Sequence, residues 1–235
     1  MELCKQEWEA SCGRGDNAIF YPKEEVVKFL NRHVRKRTGL AEFRDILERA
    51  PDDRTPWRAL DYGCGIGRHA VLLEEFGLEA YGVDLSEKSI ALARGLAGHM
   101  GFPALGARLR PGSGRTLDFE DDYFDLCIAE SCLDCMPFEV ARGIVRELDR
   151  VTKYLGYVTL YSGDNSEHHR EFAGEVRVAE PLACGTVRCF YNWARIGELI
   201  GGTAWRIASA HLIEEHSVTR RYRHGRYYVI LGKRL

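Results

Sequence analysis

Glycines at 63, 65 and 67 stand between two aspartates, Asp61 and Asp84, in the run WRALDYGCGIGRHAVLLEEFGLEAYGVDL over 57–85. Glycines at alternate positions let a turn take backbone angles that a Cβ forbids, and they let a ligand come within contact distance of the main chain. A helix that starts directly after such a turn presents free N–H groups, which favour an anionic group such as a carboxylate or phosphate. A carboxylate at the tip of a neighbouring strand can accept hydrogen bonds from both hydroxyls of a ribose. These residue types at this spacing read as a nucleoside pocket.

The elements that must assemble the pocket lie in the same run. A β-rich segment, Trp57 to Tyr62, enters the turn, and an amphipathic segment follows with Ala70, Leu73 and Phe76 on one face. Gly77 stops that helix, and a second strand, Ala80 to Val83, ends at Asp84. Two parallel strands joined by a right-handed crossover set Asp84 beside the glycine turn.

Asp61, Gly63, Gly65, Gly67 and Asp84 match an acid, any residue, G-x-G-x-G and a second acid after the next strand. At these residues the chain resembles the class I S-adenosylmethionine-dependent methyltransferases of the small-molecule type. The stretch Leu117-Asp-Phe-Glu-Asp-Asp-Tyr-Phe-Asp-Leu-Cys-Ile-Ala-Glu130 resembles the family's path into and through its fourth strand. Gly65-Ile-Gly67-Arg-His-Ala70 also fits the G-x-G-x-x-[GA] fingerprint of NAD(P)-binding oxidoreductases, but a carboxylate at Asp61 would repel a pyrophosphate there.

The resemblance implies a Rossmann-like α/β fold: a seven-stranded, mostly parallel sheet with helices on both faces and the last strand antiparallel. It implies S-adenosylmethionine as cofactor and S-adenosylhomocysteine as product. The cofactor would lie against Asp61, Tyr62, Gly63, Cys64, Gly65, Gly67, Asp84, Leu85, Ser113, Gly114 and Glu130. The acid that the family often sets against the adenine amino group falls here near Ser113, which leaves Asp118 or backbone groups around Gly114 to read adenine.

Further elements follow from local signals. Residues 1 to 20 read as irregular, broken by Gly13, Gly15 and Asp16-Asn17. Tyr21-Pro22 opens a helix with Val26, Phe29, Leu30 and Val34 on its apolar face, and a short helix is predicted over Ala41 to Ala50. Ser86 caps a helix ending near Gly101, and a third strand is predicted over Ala104 to Leu109. Phe124 to Ala129 is apolar throughout, as a strand covered on both faces must be. Pro137 starts a helix, Tyr157 to Tyr161 forms a fifth strand, and a helix over Trp193 to Ile200 precedes strands at Trp205 to Ile213 and Arg226 to Leu231, with Gly225 as the turn of the last hairpin.

In an open α/β sheet the ligand lies beyond the carboxyl ends of the strands at the switch in strand order. The acceptor is then expected against the segments 130 to 138 and 161 to 187, with Asp134 and Tyr21 as substrate contacts. The long connection 162 to 187 reads as a substrate lid. Methyl transfer from a sulfonium is an in-line displacement that gains most from alignment, and a base is needed where the acceptor must lose a proton. His168, His169 and Tyr161 are the candidates for that role.

Length and composition set the frame. A chain of 235 residues is enough for one α/β domain and cramped for two. A formal charge of −2 gives no reason to expect a nucleic-acid or membrane specialist, and the basic, tyrosine-containing tail from Arg220 reads as the solvated flank of a hairpin. The partner expected is a small molecule; methylation of RNA or protein is the alternative. Without an apolar leader or membrane-length run, the expected compartment is the cytoplasm, where the eight cysteines would stay reduced. Cys132-Leu-Asp-Cys135 has the spacing of a redox or zinc pair, with Cys184 and Cys189 as loose partners, and Asp164-Asn165 could be a metal pair or a plain turn; no metal is expected.

Overall fold

Seven strands form one sheet, and we number them in chain order: β1 (Arg58–Tyr62), β2 (Glu79–Asp84), β3 (Leu109–Pro111), β4 (Phe124–Ala129), β5 (Thr152–Tyr161), β6 (Arg206–Ser217) and β7 (Tyr222–Gly232). The structure, a computed structural model, describes residues 2–15, 18–49, 55–113, 115–163, 174–178, 185–219 and 222–233. The order across the sheet is β6-β7-β5-β4-β1-β2-β3. Strands β1 to β5 pair in parallel, and β7 runs antiparallel between β5 and β6. The fold is the Rossmann-like sheet expected from the sequence, with its switch in strand order between β1 and β4.

Alternation along the central strands feeds two cores. Leu126 and Ile128 face one side of β4, while Cys127 and Ala129 face the other. The first face is covered by α2 (Glu24–Phe29), α3 (Arg68–Glu75) and α4 (Glu87–His99), which bury Val26, Phe29, Leu73, Ile90 and Ala93. The second is covered by α5 (Phe138–Val151) and α6 (Trp193–Ile200) through Ala141, Ile144, Leu148, Ile196 and Leu199. Ser86 caps α4 as expected, accepting from the N–H of Ser89 at 3.0 Å.

Several expectations need correction. Residues Glu2–Arg14, read as irregular, form a helix, α1, that packs on α4: Lys5 pairs with Glu87 at 2.8 Å, and the Glu9 carboxylate accepts from the N–H of Glu87 in the first turn of α4. This favourable placement of an acid at a helix start compensates for α1's weak apolar face. The helix opened by Pro22 ends in a π-helical turn, Leu30–Val34, and the short helix predicted over 41–50 is instead a ribbon of Arg35–Arg37 with Phe43–Asp45. Phe43 secures that ribbon against Phe76, with ring centroids 5.9 Å apart.

The predicted third strand begins later than expected. Pro103–Arg108 is a 3-10 helix that buries Leu105, and Arg94 holds it by donating to the carbonyls of Gly106 and Leu109 at 3.2 and 2.8 Å. Gly225 lies within β7 rather than at the hairpin turn. Its smallness answers a close approach: a Cβ there would lie 2.9 Å from Ser162 Cβ.

Gly67 joins the sheet to its first crossover helix. It sits at φ 83° directly before α3, where a Cβ would come 2.9 Å from Ala93 Cβ on α4. Gly67→Ala is therefore expected to destabilise the protein by about 1–3 kcal/mol through left-handed strain and the helix–helix clash. Denaturant titration checks this, and a midpoint equal to the parent's would refute it.

Candidate functional site

A cavity of about 550 Å³ opens at the carboxyl ends of the central strands. The loops after β1, β2, β3 and β4 and the end of β5 all reach its wall, as the sheet's switch point requires. Gly63 and Cys64 bend tightly enough that both of their N–H groups donate to the Val83 carbonyl, at 2.8 and 3.1 Å. The next N–H, that of Gly65, donates to Asp84 Oδ2 at 2.8 Å, and the N–H of Ser86 donates to Asp84 Oδ1 at 2.8 Å. The two elements that sequence reasoning paired are thus joined by a direct hydrogen bond.

Gly65 also lines the cavity at φ 53°, and a Cβ built there would meet nothing within 4 Å. The space in front of it is open. Burial raises the Asp84 carboxyl above its usual range, while the amides of Ser86 and Gly65 pull it back. Tyr62, Leu85 and Ser113 line the same end of the cavity, where the Tyr62 hydroxyl donates to the Ser113 carbonyl at 3.2 Å. Gly114 lies outside the described residues.

Glu130 and Arg68 form the next part of the wall. Arg68 donates to Glu130 Oε2 at 3.0 Å and to the Tyr21 carbonyl at 3.1 Å, and Ser131 Oγ donates to Glu130 Oε1 at 2.7 Å. Burial alone would raise the Glu130 carboxyl; the Ser131 hydrogen bond and the charges of Arg226 and Arg68 outweigh it and lower its pKa. His69 Nε2 accepts from the Lys23 N–H at 3.2 Å, and burial together with the Arg68 charge brings its pKa down to about 4, so the ring is neutral.

Asp61 and Gly67 do not reach the cavity wall. Asp61 is 1 % exposed, sits by the start of α3 where the Ala70 N–H donates to it, and its Oδ2 has no hydrogen-bond partner among the described residues. Burial raises its pKa to about 7, against a lowering by Arg68. Its carboxylate thus meets the first turn of α3 through the Ala70 amide.

The far end of the cavity is built from β5 and β7. Tyr161 lines it, with the Arg226 guanidinium 4.1 Å and the Arg188 guanidinium 5.0 Å from its ring centroid and His224 edge-on at 4.9 Å. Burial pushes the Tyr161 phenol above its ordinary range, which disfavours its use as a base. Burial and the Arg226 charge lower His224 to about 4.

Neither predicted substrate contact points into this space. Asp134 is fully buried, pairing with Arg226 at 2.7 Å and accepting from the Tyr161 N–H at 3.0 Å, and it does not line the cavity. Tyr21 projects its ring outward, 84 % exposed, and meets the site through its carbonyl alone. His168, His169, Asp164 and Asn165 lie outside the described residues. The described part of the 162–187 connection includes a ribbon of Glu175–Arg177 with Val187–Cys189, and Val178, Thr186 and Val187 reach the cavity.

Sequence reasoning missed Arg68 and His69, although both follow the glycine motif directly, because attention to glycine spacing hid their positions at the first turn of α3. It also missed Trp8 and Cys12 of α1, whose four-residue spacing places them on one helical face and on the cavity wall. Arg226 carried no local signal: its partner Asp134 is distant in sequence. Among the described residues, no three of the His, Cys, Asp and Glu side chains are placed to hold a metal.

Residues 60–160 match the methyltransferase domain family, a span that takes in the glycine turn, Asp84 and β4. Over those residues the chain is similar to methyltransferase domains. Among curated relatives, a sterol 4-C-methyltransferase of Caenorhabditis elegans is 26% identical over 153 residues, which are 63% of this chain and 42% of that protein. The chain spans less than half the length of the curated relatives it matches, at 38%, 42% and 33%. Among solved structures, a 1,6-didemethyltoxoflavin-N1-methyltransferase of Burkholderia thailandensis aligns over 99% of this chain and 88% of its own, with TM-score 0.67 and 14% identity. A [4+2]-cyclase, SpnF, aligns over 98% and 93% with TM-score 0.61 and 16% identity, so likeness at this level establishes the fold and leaves the reaction to the site.

Within this fold, Asp61 gives a pH-dependent signature. Its folded pKa of about 7 stands above the ordinary 3.8, so the folded chain binds that proton more tightly than the unfolded chain does. The resulting stability is full below the unfolded pKa and is lost as pH rises through about 7. Asp61→Asn should therefore gain in melting temperature over the parent as pH is raised from about 5 to about 8. A difference that is flat with pH would show that Asp61 is ionised throughout.

Proposed function

We propose that this domain transfers the methyl group of S-adenosylmethionine to a small-molecule acceptor and releases S-adenosylhomocysteine. The observation that carries the reading is the Asp84 carboxylate, hydrogen-bonded to the Gly65 amide on the wall of a cavity that leaves room in front of Gly65. Its volume of about 550 Å³ falls in the range of ordinary ligand pockets. Asp84 retains acceptor capacity for the ribose hydroxyls after taking one amide on each oxygen. Leu85, Gly112 and Ser113 would border the adenine, and the Arg68–Glu130 pair would meet the amino and carboxylate groups at the other end.

The cofactor supplies a methyl group on a sulfonium, already joined to a good leaving group. The chain's own contribution is alignment and exclusion of water, which for two held reactants can supply a large part of the acceleration. Tyr161 is held protonated and His69 spends its Nε2 lone pair on Lys23, so neither serves as an efficient base at neutral pH. The acceptor end is the space bounded by Tyr161, Thr186, Arg188, His224 and Arg226, and the 162–187 connection would close over it.

Small molecules are favoured over RNA or protein because the reactive end is a recess, walled by α1 and the segment around Val187, rather than an open face. The C. elegans and B. thailandensis proteins, named for a sterol and for 1,6-didemethyltoxoflavin, fit that class. No helix among the described residues is long and apolar enough to cross a membrane, and the free thiols fit a reducing compartment such as the cytoplasm.

Calorimetric titration with S-adenosylhomocysteine and NADH tests the donor: heat from the first and none from the second is expected. Asp84→Ala should weaken S-adenosylhomocysteine binding by about 1.5–3 kcal/mol, the value of a hydrogen bond to a charged group. Affinity unchanged in that variant would remove the ribose assignment. Release of labelled methyl onto a panel of metabolites, against RNA and protein as competitors, tests the acceptor class.

A further inference from the structure

The C-x-x-C pair after β4 has no part in the reaction above, yet the fold places both of its thiols on the cavity wall. The Cys135 N–H donates to the Cys132 carbonyl at 2.9 Å and closes a four-residue turn. Such a turn holds its end Cα atoms within about 7 Å, and disulfides span roughly 4.4–6.8 Å between Cα atoms. Joining these two residues thus asks for side-chain rotation and little movement of the main chain. Both are half-buried free thiols. Cys132 Sγ packs so closely on the glycine turn that a Cβ at Gly63 would lie 2.4 Å from it, whereas Cys64 Sγ is turned toward Gly82.

We propose that Cys132 and Cys135 form a reversible disulfide, a modification site coupled through Gly63 to the methyl-donor end of the cavity. The step is exchange with a small disulfide such as oxidised glutathione. The thiolate of one cysteine attacks a glutathione sulfur, the other cysteine resolves the mixed disulfide, and one S–S bond forms as one breaks. The two protein thiol protons pass to the two glutathione thiolates released. Bridging swings Cys132 Sγ away from Gly63 toward Cys135, which removes packing from the turn that presents the Gly65 amide.

Burial, reinforced for both by the Asp134 carboxylate, raises the two thiols above their ordinary range. Exchange is accordingly slow at neutral pH, and the reduced pair lacks the thiolate stabilisation that would make its disulfide strongly oxidising, so the bridge is durable once made. Among the described residues no three His, Cys, Asp or Glu side chains are placed to hold a metal, which favours this chemistry over zinc.

The effect on binding rests on the methyl-donor reading; the bridge itself does not. The intact protein is equilibrated in glutathione buffers, alkylated and mapped by mass spectrometry, and S-adenosylhomocysteine is titrated into the reduced and oxidised forms. Expected is a 132–135 linkage that is absent in C132S and C135S and kept in C12S and C189S. Oxidation should weaken S-adenosylhomocysteine affinity about tenfold, with dithiothreitol restoring it, a coupling of ordinary allosteric size. A chain that stays reduced in excess oxidised glutathione, a linkage mapped to other cysteines, or equal affinity of both forms overturns the proposal. Reduced protein that forms the bridge but never binds S-adenosylhomocysteine supports the modification site and removes the donor assignment.

Discussion

A carboxylate buried at the end of a strand must find donors, and Asp84 finds them in the amides of Gly65 and Ser86. That pair of hydrogen bonds fixes two loops against each other: the turn leaving β1 and the entry to α4. The rest of the site is referred to this junction. The turn can reach Asp84 because Gly63 and Gly65 take positive φ, and α3 can leave in the right direction because Gly67 does the same while giving Ala93 room. Three glycines in one motif therefore answer three separate demands: contact with Cys132, an open cavity wall at Gly65, and packing of α3 on α4.

A second layer of electrostatics supports the first. Arg226 and Asp134 form an ion pair inside the protein, 2.7 Å apart, with Thr159 accepting from the same guanidinium nitrogen at 3.2 Å. Burying such a pair is expensive in desolvation, and its geometry must be good for the arrangement to hold. Here the pair ties the loop after β4 to β7, and Asp134 also accepts from the main chain of Tyr161. The result is that the far wall of the cavity has the rigidity of the sheet rather than of a loop.

The local motifs were legible in the sequence wherever one segment carried the whole signal. The turn at 63–67, the cap at Ser86, the buried strand Phe124–Ala129 and the helix Trp193–Ile200 each follow from spacing and residue type within a short window. What the sequence concealed depends on partners distant along the chain. Asp134 looked like a substrate contact because its loop position is right, but Arg226, brought beside it by the insertion of β7, consumes its charge. The helix α1 was hidden for a similar reason: its stability comes from Lys5 and Glu9 docking on the start of α4, not from an apolar stripe of its own. The ribbon over 35–45 and the 3-10 segment at 103–108 are likewise choices made by packing against Phe76 and by Arg94.

The insertion of β7 between β5 and β6 has a consequence for biosynthesis. Until its residues leave the ribosome, β5 exposes one full edge of main-chain donors and acceptors, and Asp134 waits in a closing core without its counter-charge. The half of the domain that carries the glycine turn can pair its strands early, whereas the far wall of the cavity cannot be completed by a nascent chain that stops short of Arg226. A ribosome stalled in that interval would hold a species with a formed nucleoside end and an adhesive sheet edge, the state in which chaperone capture or strand-to-strand association is most favoured.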